Sequence, residues 1–428
     1  MIHRLTAALA AALSCYFVLT GAAEGQQLRF EWAAQIATNE IERAEALAFD
    51  AVGNVYVTGV TQGLLGDTAY GTQDVFITKV SPSGSLLWSQ QIGKAGANVA
   101  GDVAIDADGN VIVVGSFGVP SLTDKAFFIH KVSPSGETHW TQQGVYPPGS
   151  LAYGVAADGD NNIYVTGEID DPGNRDIFLY KISETGGLLW ARLMGEAEGS
   201  RGSDIAIDSA GNPVITGTVW GGETDGYDAF TSKFNAAGDL LWGQRVGTQF
   251  DDEGLTLAID GQDNIVVAGN WGQGDSAASG SQPVVWKHDP AGDSLWFNQY
   301  EGSGEGDTVR GLAIDSDNGV YFVGATSGQV GPTQFGGVDA YLTALSPDGD
   351  GLWASQFGSW NYDEANAIGV FNGDEFYLAI TSASGLAGPS LGLTDVFLIK
   401  YVAVPEPVSS LLIGLMACVL VTRRPAGR

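Results

Sequence analysis

Two cysteines, Cys15 and Cys418, are all that this 428-residue chain contains, and both stand in apolar stretches near its ends. No disulfide can form within the body of the chain. That excludes a disulfide scaffold but not export, since exported proteins need not use disulfides. Histidine is almost as scarce, with four residues of which His3 lies at the N-terminus. A Ser-His-Asp arrangement needs a positioned imidazole, and few are on offer. Basic residues are also few: 19 Lys and Arg stand against 50 Asp and Glu, for a formal charge of −31. A chain this acidic is a poor partner for nucleic acid or anionic lipid. No apolar run reaches the ~20 residues of a membrane-spanning helix. Zinc-ligand spacing, a Walker loop and a dinucleotide fingerprint are missing as well.

What the chain does contain is a repeat. Marker tryptophans stand at Trp32, Trp88, Trp140, Trp190, Trp242, Trp296 and Trp353, between 50 and 57 residues apart. Before each of the last six runs an Asp-x-x-Gly-Asn-like turn, a β-branched run ending in a small-residue step, and a second run. In most copies that second run ends in Lys. A Ser-Pro-x-Gly-like turn then leads into the Trp. A period of this size, rich in Gly and β-branched residues, predicts an all-β toroid of four-stranded antiparallel blades.

Each turn has a physical reading. Asp50, Asp106, Asp158, Asp208, Asp260 and Asp315 open the first turn, and three residues on stand Gly53, Gly109, Asn161, Gly211, Asp263 and Asn318. These types tolerate left-handed φ. Together they specify a type I turn with a G1 bulge, a common hairpin link. The second turn, as in Ser81-Pro82-Ser83-Gly84, places Ser or Asp first, Pro second and Gly fourth, which suits a tight turn. Each unit is thus two hairpins, with strands a, b, c and d. The seventh copy has Phe371 where the others have Asp, so its first turn departs from the pattern. The body opens on a lone strand d around Trp32 and ends on a strand c at 395–401. Pairing the two closes seven blades and hides both sheet edges.

The run Asp50-Ala51-Val52-Gly53-Asn54-Val55-Tyr56-Val57-Thr58-Gly59 resembles the core of the bacterial SBBP β-propeller repeat. The resemblance extends over residues 28–402 and implies a fold and export, with no defined activity. The two ends complete the organisation. Residues 1–23 read as a secretory signal peptide: Arg4, a mostly apolar run from Leu5 to Leu19, then small residues for cleavage. Residues 403–428 hold Pro405-Glu406-Pro407, an apolar run from Val408 to Val421, and Arg423-Arg424. That order resembles a PEP-CTERM sorting tail. It implies transient membrane insertion, handling by an exosortase-type machinery, and release or attachment at a bacterial surface. An ordinary C-terminal anchor has the same gross composition.

Three groups are candidates for chemistry. Asp102, Asp204, Asp251, Asp252, Glu253, Asp307, Asp363 and Glu364 fall in the loops joining strand d to the next strand a and are expected to form an acidic rim around the channel mouth. Such a rim attracts cations or a basic partner, or merely keeps the molecule soluble. Tyr70, Trp220 and Trp271 fall in expected b–c loops and are candidates for stacking on sugar rings. Trp286 lies within a strand c and is expected in the core. Asp106-Ala107-Asp108-Gly109-Asn110 and its counterparts resemble the opening of a calcium loop, but no distal Glu completes it. The turn already accounts for these aspartates, so no cofactor or metal is expected there. His130, His139 and His288 replace ordinary scaffold residues, so no catalytic residue is assigned. The expectation is an exported, non-enzymatic propeller that acts as a structural or binding module. Its partners are the sorting machinery and an extracellular polysaccharide or surface protein. The alternatives are a polysaccharide lyase or glycosidase built on loop carboxylates, and a calcium-dependent carbohydrate binder.

Overall fold

A computed structural model describes residues 27–118, 126–143, 149–171, 174–195, 199–222, 226–272, 281–300, 306–331, 333–386 and 390–404. The expected signal peptide and sorting tail, including Pro405, Glu406, Pro407, Arg423 and Arg424, lie outside them. The described residues form seven four-stranded antiparallel sheets, each a blade of a closed propeller. In the first blade strands a to d are Glu42–Phe49, Val55–Thr61, Asp74–Val80 and Leu86–Ile92. The next five blades repeat that order along the chain.

The seventh blade takes its strands a, b and c from Asp363–Phe371, Glu375–Ser382 and Asp395–Val404, and its strand d from Gln27–Ile36 at the other end of the chain. The register runs from Gln27 opposite Val404 to Ile36 opposite Val396. Both edges that an open ring would expose are thereby paired.

The first turn forms as its residues require. Gly53 N–H donates to the Asp50 carbonyl at 3.0 Å, and Gly53 has φ +82°. Asn161, Asp263 and Asn318 take the same left-handed place with φ of 62–64°. Their side chains have a further use. Asn161 Oδ1 accepts from Ala107 N, Asp263 Oδ1 from Ser209 N, and Asn318 Oδ1 from Gly261 N. Each ties its turn to that of the preceding blade, which glycine does not do. In the seventh blade two successive residues, Asn372 and Gly373, have positive φ, and Phe371 packs on Phe49 instead of capping the turn.

Six of the seven strand-d tryptophans are inter-blade bolts. Trp32, Trp88, Trp242 and Trp296 Nε1 donate to the carbonyls of Pro82, Pro134, Pro290 and Pro347, each in the c–d turn of the next blade. Trp140 and Trp190 do the same to Glu184 and Ala236. Trp353 Nε1 is buried without a partner. The next blade is the closing one, where strands c and d come from opposite ends of the chain and no turn joins them. Strands b and c carry the core: Val55–Thr61 and Asp74–Val80 are buried throughout.

Candidate functional site

Strand a of every blade contains one register break. It falls at Glu45, Gly101, Tyr153, Ser203, Leu255, Arg310 and Asn366. A bulge re-aims the side chain at the extra residue. These seven residues and their neighbours line the central channel, except that Glu364 and Glu253 reach its arginines from just outside. The channel holds a cavity of about 460 Å³.

The channel is lined by three arginines as well as by acids. Arg310 Nε lies 2.7 Å from Glu364 Oε1, Arg43 Nη2 lies 3.5 Å from the other oxygen of Glu364, and Arg201 Nη2 lies 2.7 Å from Glu253. Burial raises the Glu364 carboxyl, but Arg310 and Arg43 overcome this and hold it below the usual range. Sequence reasoning missed these arginines. The signal was available, since all three stand on innermost strands of a chain poor in basic residues.

Among the described residues the expected acidic rim does not form as a ring of free carboxylates, and the reason is physical. Asp252 and Asp363 open strand a, Asp307 stands just before it, and all three are buried, as is Glu42 at the same place in the first blade. Their carboxylates fasten loops. Asp252 accepts from Thr248 Oγ1 at 2.9 Å and Gly272 N at 3.2 Å, Asp363 from Ser359 Oγ at 2.7 Å, and Asp307 from Thr326 Oγ1 at 2.5 Å. Asp251 is exposed and accepts from Tyr227 N, and Glu253 holds Arg201. Asp102 and Asp204 belong to strand a itself and face the lumen. Each reaches across to the next blade: Asp102 accepts from Val155 N at 3.0 Å and Asp204 from Leu257 N at 2.8 Å. Burial raises both carboxyls, and the charge of Asp204 raises Asp102 further.

The acids of the opposite face are occupied too. Asp106 Oδ2 lies 2.7 Å from Lys131 Nζ, Asp208 2.8 Å from Lys233, and Asp260 2.8 Å from Lys287, with every partner nearly fully buried. Their other oxygens accept the turn's own N–H groups, as Asp106 Oδ1 does from Asp108 and Asn110. A calcium ion needs six to eight free oxygens, and these aspartates have committed theirs. Among the described residues no cluster of three or more His, Cys, Asp or Glu side chains is arranged to hold a metal ion.

The aromatic candidates separate. Tyr70 lies in the first b–c loop and is half exposed. Beside it is a cleft of about 410 Å³ between the first two blades, lined also by Lys94, Phe117 and His130. Trp220 and Trp271 are not in loops. They end long strands b, Pro213–Gly222 and Ile265–Gly272, because these hairpins continue pairing beyond the length of the first. Trp220 packs edge-on against Tyr227, with centroids 5.0 Å apart. Trp271 faces Phe297 at 4.5 Å in the cleft between the fourth and fifth blades. Trp286 is buried in the core, as expected.

No protein-family model matches the chain. One stretch is 32% identical over 168 residues to the regulatory protein FlaEY of Caulobacter vibrioides, spanning 35% of this chain and 17% of that protein. Another is 25% identical over 181 residues to a WD repeat-containing protein of Acanthamoeba polyphaga mimivirus, spanning 32% of this chain and 13% of that one. The chain therefore spans less than a fifth of the length of these curated relatives. Among solved structures, polysaccharide lyase Uly1 superposes with a TM-score of 0.51 at 10% identity, over 90% of this chain and 94% of that one. The β-propeller domain of the Trilobed protease from Pyrococcus furiosus gives 0.47 at 9% identity, over 85% and 94%. At such identities the likeness is one of fold.

Proposed function

We propose that this protein is an exported, non-enzymatic propeller of the SBBP type. A PEP-CTERM tail sorts it to the bacterial surface or exopolysaccharide matrix, where it serves as a binding or structural module. One observation carries the non-enzymatic part: the carboxylates that recur along the chain are bonded to turns, loops or neighbouring blades. The order Pro405-Glu406-Pro407, apolar run, Arg423-Arg424 supports the sorting part. Fractionation of the source cells with an antibody to residues 28–402 tests it. The protein is expected in the surface or matrix fraction, with the tail removed. A full-length cytoplasmic protein would sink the proposal.

A second reading has one observation in its favour. Asp102 and Asp204 are a carboxyl pair of raised pKa in the central cavity, the environment in which catalytic acids are found. If they hydrolyse a glycan, Asp102→Asn abolishes release of reducing ends from a polysaccharide panel. If their role is to join blades, wild type releases none.

A further inference from the structure

The cleft between the fourth and fifth blades differs from the repeat that builds it. At the position of Val80 in strand c the other blades have Val132, Ile182, Phe234, Leu345 and Tyr401, whereas the fifth has His288. Two residues earlier Trp286 stands where the first blade has Thr78. Both side chains are nearly fully buried, at 2% and 3% exposure. Trp286 Nε1 and Trp271 Nε1 have no hydrogen-bond partner, and the buried ring nitrogens of His288 have none beyond a weak approach to the Gly292 backbone. A buried polar group left unbonded costs stability, and in a native protein such groups call for an explanation. These groups belong to three residues lining one cleft.

The rest of the cleft is equally selective. It has a volume of about 340 Å³, at the lower end of the ~300–1,000 Å³ of ligand sites. Phe297 is exposed at the mouth and Trp271 lies against it; Gln244, Asp293 and Ser294 supply polar edges. Among the described residues no Lys or Arg lines it. Burial pushes the His288 imidazole down, against smaller upward effects of Asp289 and the Gly292 backbone, which favours the neutral ring. Aromatic faces, unsatisfied ring nitrogens and no positive charge suit a ligand with flat apolar faces, hydroxyl groups and no negative charge. Net charge on the protein disfavours anionic chains further.

We propose that the cleft lined by Trp271, Trp286, His288 and Phe297 binds a sugar unit of a neutral glycan chain. This rests on the matrix-binding reading above and gives it a site. The glycan stacks on Trp271 and Phe297, and its hydroxyls bond the ring nitrogens of Trp286 and His288.

The test is calorimetric titration of the full chain with cellohexaose, chitohexaose and hexa-galacturonate, the last as the anionic control. One or both neutral hexaoses are expected to bind and the anionic one to fail. Trp271→Ala is expected to weaken binding about tenfold or more, the scale of one lost anchor. His288→Leu restores the aliphatic residue of the sixth blade, so it is expected to fold and to melt no lower than wild type while weakening binding. Neutral hexaose binding unchanged in both variants would place the glycan elsewhere: the cleft proposal fails and the matrix reading stands. No binding of either neutral hexaose overturns the cleft proposal. If the full chain also fails to sediment with matrix polysaccharide of the source cells, the broader reading falls with it.

Discussion

At the scale of the residue, the buried Lys–Asp pairs are the strongest local commitments. Lys131 and Asp106 are both almost inaccessible and 2.7 Å apart. Removing one partner strands the other charge, so Lys131→Met is expected to lower stability by about 3–5 kcal/mol in denaturant unfolding. Lys131→Met with Asp106→Asn is expected to recover part of that loss. The sixth blade supplies the precedent: Ala344 takes the place of Lys there, and Tyr321 hydroxyl donates to Asp315 at 2.8 Å. In the seventh, where Asp is replaced by Phe371, Glu375 four residues on receives Lys400 at 2.7 Å. The tryptophans allow a paired comparison. Trp88→Phe loses the bond to Pro134 and is expected to cost about 1 kcal/mol beyond the change in packing. Trp353→Phe has no such bond to lose, so its melting temperature is expected to fall less. Repeat arithmetic located all these side chains. The missing partner of Trp353 was equally implied by the lone strand d at the N-terminus.

At the scale of the element, the decisive contact is the borrowed strand Gln27–Ile36, which pairs along Asp395–Val404 and packs Trp32 against Tyr377 at 5.9 Å. Deleting residues 1–36 leaves an unpaired, largely buried strand edge. The truncated chain is expected to aggregate or dimerise in size-exclusion chromatography and to unfold over a broader, lower range than the full chain. A monomer with unchanged melting would remove the closure from any part in stability. Element boundaries were legible where turn chemistry is strong. They were missed in the fourth and fifth blades, where strands b of 10 and 8 residues include Trp220 and Trp271, expected in loops. No local turn residue forbids that extension, and the pairing partner across the hairpin decides it. The strand-a bulges went unseen for a related reason: residues as different as Glu45, Gly101, Tyr153 and Leu255 occupy them, so they have no residue signature.

At the scale of the whole molecule, two sets of carboxyls oppose each other in pH dependence. For Asp50, Asp106, Asp158, Asp208 and Asp260, burial raises the carboxyl, but bonds from asparagine, backbone N–H and Lys outweigh it and the net shift is downward. Their contribution is full above the ordinary carboxylate range, about 3.9 for Asp, and is lost as pH falls through the lower native values. Asp102 and Asp204 are shifted upward. The native state then holds protons that the unfolded chain has released, so their effect on stability worsens as pH rises from about 4 through the native values, by at most ~1.4 kcal/mol per pH unit per proton. Asp102→Asn with Asp204→Asn is therefore expected to flatten the decline on the alkaline side relative to wild type in unfolding measured from pH 4 to 9. Equal slopes would show that the channel pair is ionised in both states.

The chain by itself determined the number of blades, the order of strands and the closure. Those follow from turn residues and hydrophobic period, which act within a few residues of one another. It did not determine which charges meet in the channel. Asp102 and Asp204 lie 102 positions apart, and only the ring brings them within electrostatic reach. Nor did it reveal that Asp252, Asp307 and Asp363 are sealed away, because an acid at a strand entrance looks the same in sequence whether it meets water or a loop's N–H groups. The inter-blade clefts belong to the tertiary structure for the same reason: each is walled by two repeats, and its chemistry appears only when both faces are in place.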